Sequence, residues 1–373
     1  MLRAALLPGP EALAHWHQWK RNTATDPASN RLLPLLYHNL HRLGVEARDL
    51  QPYRNAYEKS WCENQFMFSQ AAALVRELQS KEIPSVLLKG IALALAFYPD
   101  PALRPMADID VLVRPGQIAA ASAVCRRLGW QPVFDPQDLL PLDQGVHFTR
   151  NSAFQLDLHW RVFWQFHKGS PDEKLWHETL PLTVAGAHAR CLNATMQLLH
   201  VCVHGTQWCE EPTIRWVADA MAILRSDRDA VNWDSLLEQA VRRKYTLALL
   251  DTLTYLHQAL AAPVPPEVLQ SLRRIPATMF DRISYRALAS GNEALRTLLW
   301  WQVVAPLRDS SKIPWRKRTS MLLRYVAAKW RVRSPWNLPF SAVAKLGRKA
   351  ARGFVAALSA KPARPAPSGL DHP

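Results

Sequence analysis

Three textures follow one another along the chain. Between residues 9 and 80, apolar positions recur at three- and four-residue spacing, as in Leu32, Leu33, Leu35, Leu36, Tyr37, Leu40 and Leu43. That repeat puts side chains on one face of a helix. Pro52 is expected to open a long helix running through Trp61 and Phe66 to Leu78, because proline suits a first turn. Lys81-Glu82-Ile83-Pro84 ends the pattern. Val86-Leu87-Leu88 then reads as a short buried strand meeting a turn at Lys89-Gly90, and helical character resumes from Ile91 to Phe97. Pro99, Pro101 and Pro105 predict a loop. Ile109, Val111 and Val113 alternate with Asp108, Asp110 and Leu112, the period of a strand. Residues 116–128 read as a helix ending at Gly129, and 130–134, 147–150 and 154–160 as further strands. From Cys191 the chain is helical again, over 196–206, 214–225, 233–243 and 245–260, punctuated by Pro263, Pro265 and Pro266; residues 270–305 are also expected to be helical. After Pro314 it becomes basic and proline-interrupted, with a possible amphipathic helix over 339–358 and disorder over 361–373. The expected organisation is an N-terminal helical region (1–80), a strand-bearing core (81–190), a C-terminal helical region (191–305) and a partly disordered basic tail (306–373).

Composition adjusts this picture. Of 373 residues, 49% are apolar and 21% charged, which suits a globular chain of two or three domains. Five cysteines at irregular spacing, with no Cys-x-x-Cys, argue against a disulfide framework and a thiolate zinc site and suit a reducing cytoplasm. The N-terminus lacks a basic segment followed by a long apolar core, so it makes a poor signal peptide. No apolar run is long enough to predict a membrane-spanning helix. The net charge of +15 is concentrated: residues 301–373 hold 15 Lys and Arg against two Asp and no Glu. The body is therefore near neutral. In the tail, Arg316, Lys317, Arg318, Arg324, Lys329, Arg331 and Arg333 interleave with Trp315, Tyr325, Trp330 and Trp336. That mixture suits nucleic acid, where rings stack on bases. It equally suits an anionic membrane surface, giving a cytoplasmic protein peripherally attached. A solvated tail with neither partner is the plain alternative.

The candidate chemistry centres on Asp108 and Asp110. On a strand, residues two apart share a face, so the two carboxylates converge and repel, and a divalent cation relieves the repulsion. Hard oxygen ligands suit magnesium, which also takes phosphate oxygens. An Asp-x-Asp pair alone is a weak signal. It gains from its surroundings. Gly90 stands where a strand turns into a helix and lets phosphate approach backbone N–H groups. Asp157, in Phe154-Gln-Leu-Asp-Leu-His-Trp160, puts a third carboxylate on another strand. Lys89 and Arg104 supply cations that offset phosphate charge, or else pair with the aspartates. His159 alternates with Asp157 and shares its side. His200 and His204 lie four apart on one helix face without an obvious third ligand, so packing is the simpler expectation for them. Tyr98 is expected to pack with its hydroxyl hydrogen-bonded, and Asp219 to hydrogen-bond into the site.

The order strand, glycine, helix, Asp-x-Asp strand and later lone-Asp strand resembles the DNA polymerase beta-type nucleotidyltransferase superfamily. Val86-Leu-Leu-Lys-Gly-Ile-Ala-Leu93, Tyr98-Pro-Asp100, Leu103-Arg-Pro-Met106, Asp108-Ile-Asp-Val-Leu-Val113 and Leu156-Asp-Leu-His-Trp160 resemble the bacterial family of uncharacterised nucleotidyltransferases. So do Leu198-Leu-His200, His204, Trp208, Trp216 and Asp219. The resemblance implies an α+β fold, with a small mixed β-sheet flanked by helical regions. It implies an enzyme that moves an NMP group from an NTP to a hydroxyl or phosphate acceptor (a small molecule, sugar, peptide or protein), using two Mg2+ ions. By the same resemblance Asp108, Asp110 and Asp157 are metal ligands and catalytic, with Asp157 acting on the acceptor hydroxyl; Lys89, Gly90 and Arg104, from their chemistry and position, are the candidates for binding nucleotide phosphate. His159, His204 and Asp219 are second-rank candidates around them. The superfamily commonly has Gly-Ser or Gly-Gly after the first strand, where this chain has Lys89-Gly90. Two alternatives stand beside the enzyme: an inactive nucleotide-binding adaptor on the same fold, and a nucleic-acid- or membrane-surface-binding protein acting through its tail.

Overall fold

The structure, a computed structural model, describes residues 1–21, 27–136, 144–151, 154–163, 173–206, 214–289 and 337. By internal contacts the chain divides into Met1–Ser311 and Lys312–Pro373. Asn337 is the one described residue of the second unit. The basic tail, with its expected helix over 339–358 and its expected disorder, lies outside the described residues, as does the helix expected over 290–305.

The sheet runs β3-β4-β5-β2-β1-β7-β6. Its strands are β1 (Ser85–Leu88), β2 (Asp108–Val113), β3 (Gln131–Pro132), β4 (Gly145–Arg150), β5 (Phe154–His159), β6 (Leu180–Val184) and β7 (Ala187–Cys191). The fold is α+β and the sheet is mixed. β1 pairs antiparallel to β2, whereas β2 pairs parallel to β5, and β1 parallel to β7. The two central strands are the most apolar: Val86, Leu87, Leu88, Ile109, Val111, Leu112 and Val113 are all buried. A strand covered on both faces reads as such a run.

Two departures from the sequence pattern stand out. β6 and β7 form a hairpin in a stretch where no strand was expected. Its two-residue turn, Ala185-Gly186, has positive φ at both positions (41° and 73°), the backbone that matches the twist of the flanking strands. β3, expected over 130–134, is only two residues long.

The helices frame the sheet. On the N-terminal side run Pro10–Lys20, Leu33–Arg42 and the 34-residue helix Ala47–Ser80. On the C-terminal side run Ala194–Gly205, Arg215–Arg225, Trp233–Arg242, Thr246–Leu260, Pro266–Arg274 and Met279–Ala289. The long helix begins at Ala47, ahead of Pro52, so the proline lies inside it. This departs from the expected start. So near the helix's beginning, proline forfeits a single backbone bond.

This helix grips the proline-rich loop that delivers β2. Tyr57 donates to Asp100 Oδ2 (2.5 Å), Ser60 Oγ to the Ala102 carbonyl (2.7 Å), and Asn64 Nδ2 to the Pro101 and Arg104 carbonyls (2.8 and 3.1 Å). Asn64 is 1% exposed. Its removal takes the donor from both carbonyls. Asn64→Ala should lower the unfolding free energy by about 2 kcal/mol, measured by urea titration. An effect within a few tenths of zero would show that the loop holds its shape without this anchor.

Candidate active site

The site grows from one row across the sheet. Register pairs Leu88 with Asp110, Asp110 with Asp157, and Asp157 with His147. Residues paired across neighbouring strands point to the same face, so Asp110, Asp157 and His147 stand side by side. His147 Nδ1 lies 2.7 Å from Asp157 Oδ1; since a carboxylate only accepts, the imidazole is the donor. Asp108 shares the face of Asp110 one pleat away and is half-buried.

Asp110 is the most enclosed member, at 2% exposure. Its Oδ1 accepts from Lys89 Nζ at 2.6 Å and from His159 Nε2 at 2.9 Å. Burial alone would raise its pKa, but Lys89 and His159 outweigh it and hold the carboxyl well below the usual range. Asp108 moves the opposite way, raised by burial and then by the negative charge of Asp110. Burial pulls Lys89 down, yet the charge of Asp110 and its hydrogen bond, with Asp157 and Asp108 behind, leave the ammonium more firmly protonated than usual.

His159, on β5, was expected on the side of Asp157 and reaches the same cluster. Its Nε2 donates to Asp110, and its Nδ1 is buried without a hydrogen-bond partner. A Cβ at Gly145 would lie 2.9 Å from that Nδ1 and from the Leu158 carbonyl. Glycine there lets β4 close against His159.

The remaining candidates form a second buried cluster. Arg104 sends Nε to Asp219 Oδ1 (2.8 Å) and an Nη to Oδ2 (2.9 Å), while Tyr98 donates to Oδ1 at 2.7 Å. Arg104 and Asp219 are each 4% exposed. The bidentate pair joins the segment before β2 to the helix Arg215–Arg225, so Arg104, expected at phosphate, is placed against a carboxylate. Asp219 is thereby tied to the segment that leads into β2. Arg215 adds a bond to the Pro105 carbonyl at 3.1 Å.

Gly90 is buried in the helix Lys89–Ala96, and a Cβ on it would meet Arg104 Nη1 at 3.2 Å and Met106 Cβ at 3.4 Å. Its visible use is close packing of this helix on the Arg104–Met106 segment. Lys89 starts the helix with φ of 42°, a left-handed backbone that costs a side-chain-bearing residue about 1–2 kcal/mol.

Asp110, Asp157 and His159 each offer one ligand atom within 4.8 Å of the others. Asp110 Oδ2 is buried without a partner. An orphaned carboxylate oxygen at the centre of such a donor set fits a divalent cation, and carboxylate oxygens suit magnesium or manganese. Sequence reasoning missed His147 and Arg215. His147 is visible only once β4 is set in register beside β5. His204 lies on the helix Ala194–Gly205, its ring 6.3 Å from that of His200, and makes no hydrogen bond to the acidic row.

Residues 19–261 match a family model described as an uncharacterised nucleotidyltransferase. No curated protein matches the chain. Among solved structures, the antibiotic-resistance factor ANT(2'')-Ia aligns at 15% identity and a TM-score of 0.35, over 52% of this chain and 98% of that one. A nucleotidyltransferase-like protein from Paracoccidioides brasiliensis aligns at 12% and 0.33, over 55% and 91%. The lincosamide adenylyltransferase LnuA aligns at 12% and 0.30, over 44% and 96%. These likenesses are too slight to transfer chemistry.

His200 is buried against the edge of Phe163, ring centroids 5.7 Å apart. Burial, followed by the Lys89 charge, pushes its pKa well below the ordinary 6.5. The folded state therefore holds it neutral, and protonation favours the unfolded chain. Its stabilising share is present above pH 6.5 and drains away as pH falls below that value. Between pH 7.5 and 5.5 the wild type should lose more melting temperature than His200→Gln, as followed by circular dichroism. Equal losses would show that His200 does not contribute to acid sensitivity.

Proposed function

The chain belongs to the family of uncharacterised nucleotidyltransferases, and from that premise we propose that it transfers an NMP group from an NTP to a hydroxyl or phosphate acceptor. The acceptor oxygen attacks the α-phosphorus in line, the new phosphorus–oxygen bond forms, and pyrophosphate leaves. The supporting observation is the row Asp110–Asp157–His147, with Asp108 one pleat away and a buried carboxylate oxygen of Asp110 left open.

Asp108, Asp110 and Asp157 would hold two magnesium ions, with His159 orienting Asp110 through its N–H. Bound there, the metal supplies charge neutralisation on the triphosphate and on the leaving pyrophosphate. Asp157 takes the proton of an acceptor hydroxyl. The His147 N–H on its other oxygen keeps the carboxylate aimed. Lys89, whose ammonium stands at the mouth of the cluster, offsets phosphate charge. Arg104 is better understood as a positioning residue: with its donors on Asp219, it fixes the segment that presents Asp108.

Incubation with each α-labelled NTP, magnesium and a metabolite extract should transfer label to an acceptor or to the protein itself. Asp110→Asn should lower that transfer by at least about 100-fold while leaving the melting profile cooperative. Transfer that is absent from all four NTPs, or equal in the variant, would sink the proposal.

A further inference from the structure

Resting on the metal-site assignment above, we infer that Lys89 is the resident cation of the site: its ammonium neutralises Asp110 until a divalent ion displaces it. Released, the side chain turns to the phosphates of the incoming nucleotide. Lys89 is thus an exchangeable counter-ion that discourages the metal from binding without its anionic substrate.

Four observations carry this. The Asp110 side chain is 1% exposed, and a carboxylate so enclosed needs a positive partner at all times. Lys89 Nζ provides one at 2.6 Å, from a side chain 23% exposed against 1% for that of Asp110. It shares Oδ1 with His159, which alone would remain on it if the ammonium left, while Oδ2 stays unpartnered. A dication drawn to that free oxygen would lie next to the ammonium, and the two charges repel strongly in so enclosed a place. Finally, Lys89 adopts a left-handed backbone, φ 42°, which glycine takes without strain. Lysine at such a position serves through its side chain, and its flexible four-carbon stem reaches a new partner with no movement of the helix.

The test uses the full chain, manganese as the probe and two variants. Lys89→Met removes the charge and keeps the strained backbone; Lys89→Gly removes the charge and relieves it. Calorimetric titration without nucleotide should show Mn2+ binding at least about tenfold tighter to both variants than to wild type. In EDTA the Met variant should melt below wild type, since Asp110 has lost the ammonium and keeps only His159. Saturating Mn2+ should then raise its melting temperature by more than it raises that of wild type. A merely structural lysine would give equal metal increments. Equal or weaker Mn2+ affinity in the Gly variant overturns the exchange while leaving the metal site in place. Absence of Mn2+ binding in every form, including wild type, overturns both. Asp110→Asn, which should abolish Mn2+ binding, identifies the site being titrated, and none of these readouts depends on nucleotide transfer.

Discussion

A carboxylate enclosed by protein has to be matched by positive charge or by hydrogen-bond donors, and Asp110 meets that demand from two directions. Lys89 comes from the end of the neighbouring strand and His159 from the strand on the other side. Asp110 lies mid-sheet, and strand pairing places its neighbours: β1 ends opposite it at Leu88, with Lys89 the next residue, and β5 brings Asp157 into the same row. A slip of one residue between β2 and β5 would turn Asp157 to the opposite face. The aspartate's electrostatic needs and the sheet's register are thus one constraint seen twice.

A second buried pair ties that sheet to the helices. Arg104 and Asp219 are 115 residues apart in sequence, yet meet through two hydrogen bonds with a third from Tyr98. Breaking one side of such a pair typically costs about 3–5 kcal/mol, so the segment leading into β2 has little freedom. The same segment is held from its far side by Ser60 and Asn64 of the long helix, and Gly90 lets the Lys89 helix lie close upon it. Asp108 emerges from a stretch fastened on three sides. Side chains that hold a functional carboxylate in place act through such supports.

Much of this was legible from the chain. The alternation of Ile109, Val111 and Val113 located β2, and the apolar run before Lys89 located β1, because strongly buried strands leave simple patterns. The α+β class and the family followed from the order of those motifs. Other features were hidden for physical reasons. His147 joins the site only through the pairing of β4 with β5, a relation that no local pattern encodes. The hairpin from Leu180 to Cys191 buries small residues such as Ala187 and Ala189 and carries Pro181 on an edge strand, so its alternation is faint. Pro52 suggested a helix start because proline does suit one; here the helix begins ahead of it. The pairing of Arg104 with Asp219 was not foreseen because its partner lies far along the sequence.

The parallel pairing of β2 with β5 has a kinetic consequence. Parallel neighbours need a crossover, which among the described residues includes the helix Ile118–Arg127 and strands β3 and β4, so the two halves of the acidic cluster meet only after a long loop has closed. Asp110 and His159, 49 residues apart, have no proximity in a loose chain, and each half by itself offers just two adjacent donors. Such fragments hold a hard cation poorly. A cation held by these residues, as proposed above, would therefore bind the finished fold and strengthen it.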